Sequence, residues 1–278
     1  MRILITLYAL TTLILFSCQK EGDFANGNGG GGGTSAGTRL VKMVQKTSSD
    51  SLVSDFSYNS SGKIIAFKLS GISSGQPVDL RISYVRNSSG IIQKQILKSS
   101  ELTATGIDSI VTVVIYDVAN NRYKGGVSSF TFIGLPIRDS VVFTYDAAGK
   151  LAYEIDYTDI GVGYKPVWKK EYGYGGSNLA TEKYYSFDGV SSFDLEETSS
   201  YEYDSKINPL QFASEAAVLN MNPFYSTNNI TKETYVDATD PTNNFVSTET
   251  YVYNSSNRPS SSTNVTGADS YTTTYYYQ

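Results

Sequence analysis

Histidine is missing from the 278-residue chain, cysteine occurs once, and only 18% of residues are charged. The first absence removes Ser-His-Asp and Cys-His catalysis, the two-histidine zinc helix and any imidazole pH switch. With a formal net charge of −5 and Lys and Arg scattered along the chain, there is no basic stripe to attract a phosphate backbone, so nucleic acid is not an expected partner. The apolar run from Ile3 to Phe16 is too short to cross a bilayer comfortably as a helix. What the chain has in excess is aromatic: 23 Tyr and 12 Phe, beside 24 Gly. Large amphipathic rings favour half-buried pleated surfaces, which predicts sheets with one wet face in one large β domain or two small ones.

The N-terminus is an address. Arg2 precedes the apolar run, and Leu15-Phe16-Ser17-Cys18 closes it. Residues 1–17 therefore form a cleaved signal peptide. Leu at −3, a small residue at −1 and Cys at +1 resemble the lipobox of bacterial lipoproteins, with Phe16 departing from the usual small residue at −2. That resemblance implies diacylation of Cys18, and two or three acyl chains anchor firmly where one does not. Lys20-Glu21-Gly22-Asp23 is similar to the export signal of surface-displayed Bacteroidetes lipoproteins, which implies the outer membrane and, failing display, a periplasm-facing position. Residues 18–37, with the glycine tract from Asn26 to Gly37, read as the acylated cysteine and its tether.

Residues 38–278 read as a single domain of repeats. Tyr116, Tyr145, Tyr174 and Tyr203 are each 29 residues apart, a unit long enough for two strands and two connections. Phe56-Ser57-Tyr58 leads into Asn59-Ser60-Ser61-Gly62-Lys63-Ile64, and Phe143-Thr144-Tyr145 into Asp146-Ala147-Ala148-Gly149-Lys150-Leu151. Asn or Asp opens a type I turn, and Gly at its fourth place adopts the left-handed conformation from which the next strand leaves in register. Tyr84 with Asn87 to Gly90 reads as a copy lengthened by two residues. Tyr174 with Gly175-Gly176, Tyr203-Asp204, Tyr253-Asn254 and a terminal Tyr275-Tyr276-Tyr277 are looser ones. The aromatic at i and the Tyr at i+2 share a face, so stacked hairpins should line their rings into ladders able to hold a thin sheet without a deep Leu/Ile core.

This pattern resembles the YD repeats of Rhs-type shells, and is still more similar to repeat-bearing Bacteroidetes lipoproteins with a porin-like fold and no assigned function. The resemblance covers residues 38–278 and includes Tyr203-Asp204-Ser205-Lys206-Ile207-Asn208-Pro209 with Ser226-Thr227-Asn228-Asn229-Ile230-Thr231. It implies an all-β antiparallel meander curled into an open sheet or barrel-like shell, with little helix beyond the signal peptide. It implies no catalytic residues.

The period fails once, with 50 residues between Tyr203 and Tyr253. An insertion near 205–230 accounts for it. Ser214 to Leu219 is the one credible helical turn, ended by Asn220, Asn222 and Pro223, and predicts a cap over one end of the shell. Candidate chemistry is thin. Glu196 and Glu197 are adjacent and so point to opposite faces of a strand. Glu154 and Asp156 share a face, which reads as the wet side of one strand, leaving a carboxylate-based glycoside hydrolase as a minor alternative. Asp117, Asp146 and Asp204 recur at turns, where turn formation explains them and calcium does not. No cofactor or metal is expected and the chain does not read as an enzyme. The leading expectation is a lipid-anchored envelope protein that binds a glycan, a peptide or a partner protein through its Tyr-rich β-surface. The alternatives are a purely structural scaffold and a membrane-spanning barrel, the latter opposed by Ser, Thr and Tyr on both strand faces.

Overall fold

The computed structural model describes residues 38–211, 215–219 and 225–278. Cys18, the signal peptide, the tether and the proposed helix end at Asn220, Asn222 and Pro223 lie outside the described residues. Sixteen strands follow in order: β1 Leu40–Lys46, β2 Ser51–Tyr58, β3 Ile64–Ser73, β4 Gln76–Arg86, β5 Ile92–Ser99, β6 Ile110–Asp117, β7 Arg122–Phe132 and β8 Leu135–Tyr145. The second half comprises β9 Leu151–Asp159, β10 Lys165–Gly175, β11 Asn178–Phe187, β12 Phe193–Ile207, β13 Asn228–Asp237, β14 Phe245–Tyr253, β15 Pro259–Thr266 and β16 Asp269–Tyr277. Each strand pairs antiparallel with the next, and β16 returns to β1, so the shell closes into a barrel. Closure leaves no sheet edge to protect.

The two ends of the barrel are built from different turns. At the repeat end, the Asn59 side chain accepts from the amides of Ser61 (3.1 Å) and Lys63 (2.9 Å), and the Gly62 amide donates to the Asn59 carbonyl (2.9 Å). Asn87, Asp146 and Asn254 open their turns in the same way. Gly62, Gly90 and Gly149 have φ of +79°, +77° and +80°, and in the fourth case Asn257 (φ +56°) takes the glycine's place. At the opposite end, Ser74-Gly75 and Ile133-Gly134 form two-residue turns with both φ positive, as a type I′ hairpin requires.

A register shift accompanies each of the first seven repeat-end hairpins, beside Tyr58, Arg86, Tyr116, Tyr145, Tyr174, Tyr203 and Tyr253. The extra residue resets the alternation of the outgoing strand, so that Ile64 is buried while Ile65 faces out. Bulges of this kind also add twist. With Tyr277 ending β16, the barrel is eight hairpins, each finishing on one such residue. This register corrects the reading of Tyr84. The turn at Asn87 is not lengthened: Arg86 holds the position that Tyr58 and Tyr145 occupy, and Tyr84 corresponds to Phe56 and Phe143.

The interior differs between halves. Strands β1–β8 point Leu52, Phe56, Leu69, Leu80, Ile137 and Phe143 inward, a Leu/Ile/Phe core that a thin aromatic sheet was not expected to need. Strands β9–β15 turn Glu154, Asp156, Lys170, Glu182, Glu233 and Asn264 inward instead. Rings meet as separate pairs, such as Phe56–Phe67 at 5.3 Å and Tyr116–Tyr123 at 5.0 Å, and not as continuous ladders. Gly125 shows how tightly neighbouring strands approach, because a Cβ there would lie 1.9 Å from the Val141 carbonyl oxygen.

Among the described residues, two short α-helices and a 3-10 turn, Pro241–Asn243, accompany the strands. α1, Ser100–Ala104, is capped by the Ser99 hydroxyl accepting from the Leu102 amide (3.1 Å), a start signal of Ser followed by Glu101 that the sequence reading passed over. α2, Ala216–Leu219, lies in the predicted insertion between β12 and β13, and all four of its residues are buried. This helix plugs the repeat end of the barrel.

Candidate functional site

The repeat tyrosines come together, but as latches. The hydroxyls of Tyr58, Tyr145 and Tyr277 donate to the carbonyls of Leu40, Tyr123 and Pro259 at 2.7 Å, and Tyr203 donates to that of Leu179. Each latch joins a tyrosine at or near the end of a hairpin's second strand to the start of its first. Departures follow local chemistry: Tyr251 makes the bond to Ile230 in place of Tyr253, whose hydroxyl bonds Asp204, and Tyr116 donates to Asn121 in its own turn. Cations at the start of the neighbouring strands gain a role too. Arg39, Arg122 and Lys150 sit 5.1, 4.8 and 4.9 Å from the ring centres of Tyr58, Tyr145 and Tyr174. Burial pushes Tyr58 up to about 12 against the pull of Arg39, and Tyr145 up to about 12 against Arg122, so both phenols keep the proton they donate.

Arg86 explains the plug. Its Nε and Nη2 donate to the Ile64 carbonyl (3.0 and 2.8 Å), replacing a tyrosine latch, while Nη1 and Nη2 grip Glu215 at 2.6 and 2.8 Å. A fork of this kind is among the strongest hydrogen-bonded pairs available. Gln95 adds a bond to the Val218 carbonyl. Tyr84, wholly buried beside this pair, is raised well above the ordinary phenol range by burial.

The acidic inner wall is the second candidate. Glu154 is 0% exposed and Asp156 3%, so these are not the wet side of β9; Tyr153, Ile155 and Tyr157 face outward instead. The Tyr172 hydroxyl donates to Glu154 Oε1 (2.7 Å), and Lys170 pairs with Glu182 at 3.2 Å. Glu154 Oε2, Asp156 Oδ1 and Glu182 Oε2 are buried without a partner. Burial raises Glu154 to about 7, opposed by Lys170 and Tyr172, and raises Asp156 to about 8, helped by the nearby charges of Asp139 and Glu154. Trp168 and Tyr184, with rings 6.2 Å apart, share this wall. Carboxyls so enclosed cannot reach the two sides of a glycosidic bond in an incoming sugar. The turn acids Asp117 and Asp146 spend their oxygens on the amides of their own turns.

A third feature was not singled out from sequence. The loops at the end opposite the repeat turns carry exposed aliphatic tips: Ile133 (78%), Leu135, Ile160, Val162 and Val190 (83%). The β7–β8, β9–β10 and β11–β12 connections that hold them alternate with the repeat turns, which places them at one end of the barrel. The outer wall between the two ends mixes polar side chains with exposed aliphatic ones such as Val113, Ile115, Val142 and Val252. Across β1–β5 the register aligns Lys42, Asp55, Lys68, Arg81 and Lys98 in one row of outward positions. Each Lys or Arg at a bilayer midplane would cost about 2–4 kcal/mol, so the β1–β5 part of the wall suits water.

Comparison with known proteins places the fold. No family model and no curated protein sequence matches the chain. Two solved structures share its architecture: a porin-like protein from Bacteroides uniformis (TM-score 0.55, 12% identity) and one from Bacteroides vulgatus (TM-score 0.52, 10% identity). Each alignment covers 87% of this chain and 99% of the other. The fold is a porin-like barrel. At these identities the likeness extends to the fold alone.

Proposed function

We propose that the chain is a non-enzymatic cell-envelope protein, anchored by acylation of Cys18 and displayed on the outer membrane, that binds a peptide or partner protein at the barrel end opposite the repeat turns. The observation that carries this reading is the cluster of exposed Ile133, Leu135, Ile160, Val162 and Val190 on neighbouring connections. Clustered apolar side chains at a surface mark interaction sites more often than singly scattered ones do. Aliphatic tips favour a peptide or protein over a glycan, which would call for accessible aromatic platforms. The Tyr-rich surface expected for recognition is not available from the repeat tyrosines, because their hydroxyls are committed to backbone carbonyls. That commitment favours the second reading, a scaffold without a ligand.

An envelope pull-down with the purified chain, repeated with an Ile133→Ser/Val162→Ser/Val190→Ser variant, separates the two. Loss of a captured partner in the variant, confirmed with that partner purified, supports recognition at the tips. Equal capture by both proteins, or no capture by either, rejects it.

A further inference from the structure

The basic residues that look scattered in sequence converge in three dimensions. Residues 38–99, which supply β1–β5, hold nine Lys and Arg against three Asp, a net of +6, whereas residues 100–278 hold eleven basic and twenty-two acidic residues, a net of −11. Four of those acids, Glu154, Asp156, Glu182 and Glu233, are turned inward. Six of the nine basic residues are turned outward. Lys42, Lys68, Arg81 and Lys98 occupy one cross-strand row, broken only by Asp55, and Lys46 and Lys94 lie four residues along β1 and β5 on the same outer face. All of these except the half-buried Lys42 are exposed. Neighbouring strands are about 4.8 Å apart, so the row is about 19 Å wide.

We infer that this outer arc of β1–β5 rests against an anionic lipid headgroup surface, holding the barrel side-on to the membrane. The arc is a convex strand wall of flexible ammonium and guanidinium groups, which suits a diffuse plane of phosphates better than a shaped ligand. Its position in the chain agrees, because β1 is the strand nearest to Cys18; here the inference rests on the anchor part of the proposed function. Each Lys or Arg close to such a surface contributes about 1 kcal/mol, falling away within a Debye length. The opposing charges are few: Lys68 pairs with Asp79 at 3.5 Å, both well exposed, and such a pair is easily exchanged for a lipid phosphate.

The test uses the unacylated chain, Cys18→Ser, sedimented with vesicles of phosphatidylcholine alone or with about one third phosphatidylglycerol. Binding to the anionic vesicles only, weakened by salt, is expected. Lys68→Gln/Arg81→Gln/Lys98→Gln should lower partitioning by about 100-fold, the equivalent of about 1 kcal/mol per charge. Lys183→Gln/Lys232→Gln, on the outer faces of β11 and β13, should leave it unchanged. Equal loss in both variants, no anionic binding, or capture by soluble dextran sulfate without vesicle binding overturns the inference. So does self-association abolished by the triple substitution without vesicle binding, which would assign the arc to a second copy. A thermal melt of each variant separates lost binding from lost folding. Mass spectrometry of the native chain tests acylation independently, so a failure of the anchor and a failure of the arc give different results.

Discussion

A tyrosine hydroxyl that meets a carbonyl at 2.7 Å contributes about 1 kcal/mol, little by itself but repeated around the rim of one end. Buried carboxyls act in the other direction. Glu154 and Asp156 have pKa values raised to about 7 and about 8, so the folded state favours their neutral forms. That stabilisation is complete below about pH 4 and is lost as pH rises through 7 and 8. The melting temperature should accordingly fall between pH 6 and pH 9, and Asp156→Asn should flatten the decline. Thermal melts across that range check both statements, and a melting temperature that rose with pH in the wild type would contradict them.

At the scale of an element, the plug depends on one residue pair. Removing one member of a buried ion pair costs about 3–5 kcal/mol because the other is left charged and unpaired. Glu215→Ala should therefore destabilise the barrel by about that amount. Arg86→Tyr should restore a latch to Ile64 while releasing the plug, so Glu215→Ala in that background should be nearly neutral. Urea unfolding of the four proteins closes the cycle, and equal costs in both backgrounds would show that Arg86 does not hold Glu215. Sequence reading recovered the turn chemistry of Asn59, Gly62, Asp146 and Gly149 because turn preferences are local. A broken period is also local, and it marks the segment in which α2 lies. Sequence reading misplaced Tyr84 because the register is set by bulges, and a one-residue offset is invisible without the partner strand. Glu154 and Asp156 were misread for a related reason: in a closed barrel alternation shows which residues share a face but not which face is inside, and polar residues on both faces remove the usual clue.

For the whole molecule, the decisive property is that basic residues line the outer wall of β1–β5 while buried acids line the inner wall of β9–β15; a count along the chain shows the +6 of residues 38–99 but not which side of the wall it occupies. A second whole-molecule property is the meeting of the barrel's first and last strands. Arg39 and Gln278 exchange both backbone hydrogen bonds, at 3.2 and 2.9 Å. A circular permutant that joins these residues and opens the exposed turn at Ser74-Gly75 should keep the same strand order. Its far-ultraviolet circular dichroism and melting temperature should match those of the wild type to within a few degrees, and an unfolded permutant would show that the chain's natural starting point matters to the final state.

The seam between β1 and β16 also sets a timetable. Every other strand pair joins sequence neighbours and can zip up soon after the later strand is made, at the microsecond pace of a hairpin. The first strand has to wait with one side open until the nine residues of β16 exist. While the chain is being made, N-terminus first, the protein is therefore a growing ribbon whose leading edge stays unpaired until β16 arrives. The final strand, Asp269–Tyr277, ends that vulnerable interval, and the time from synthesis of β1 to synthesis of β16 is the window in which a chaperone would be needed.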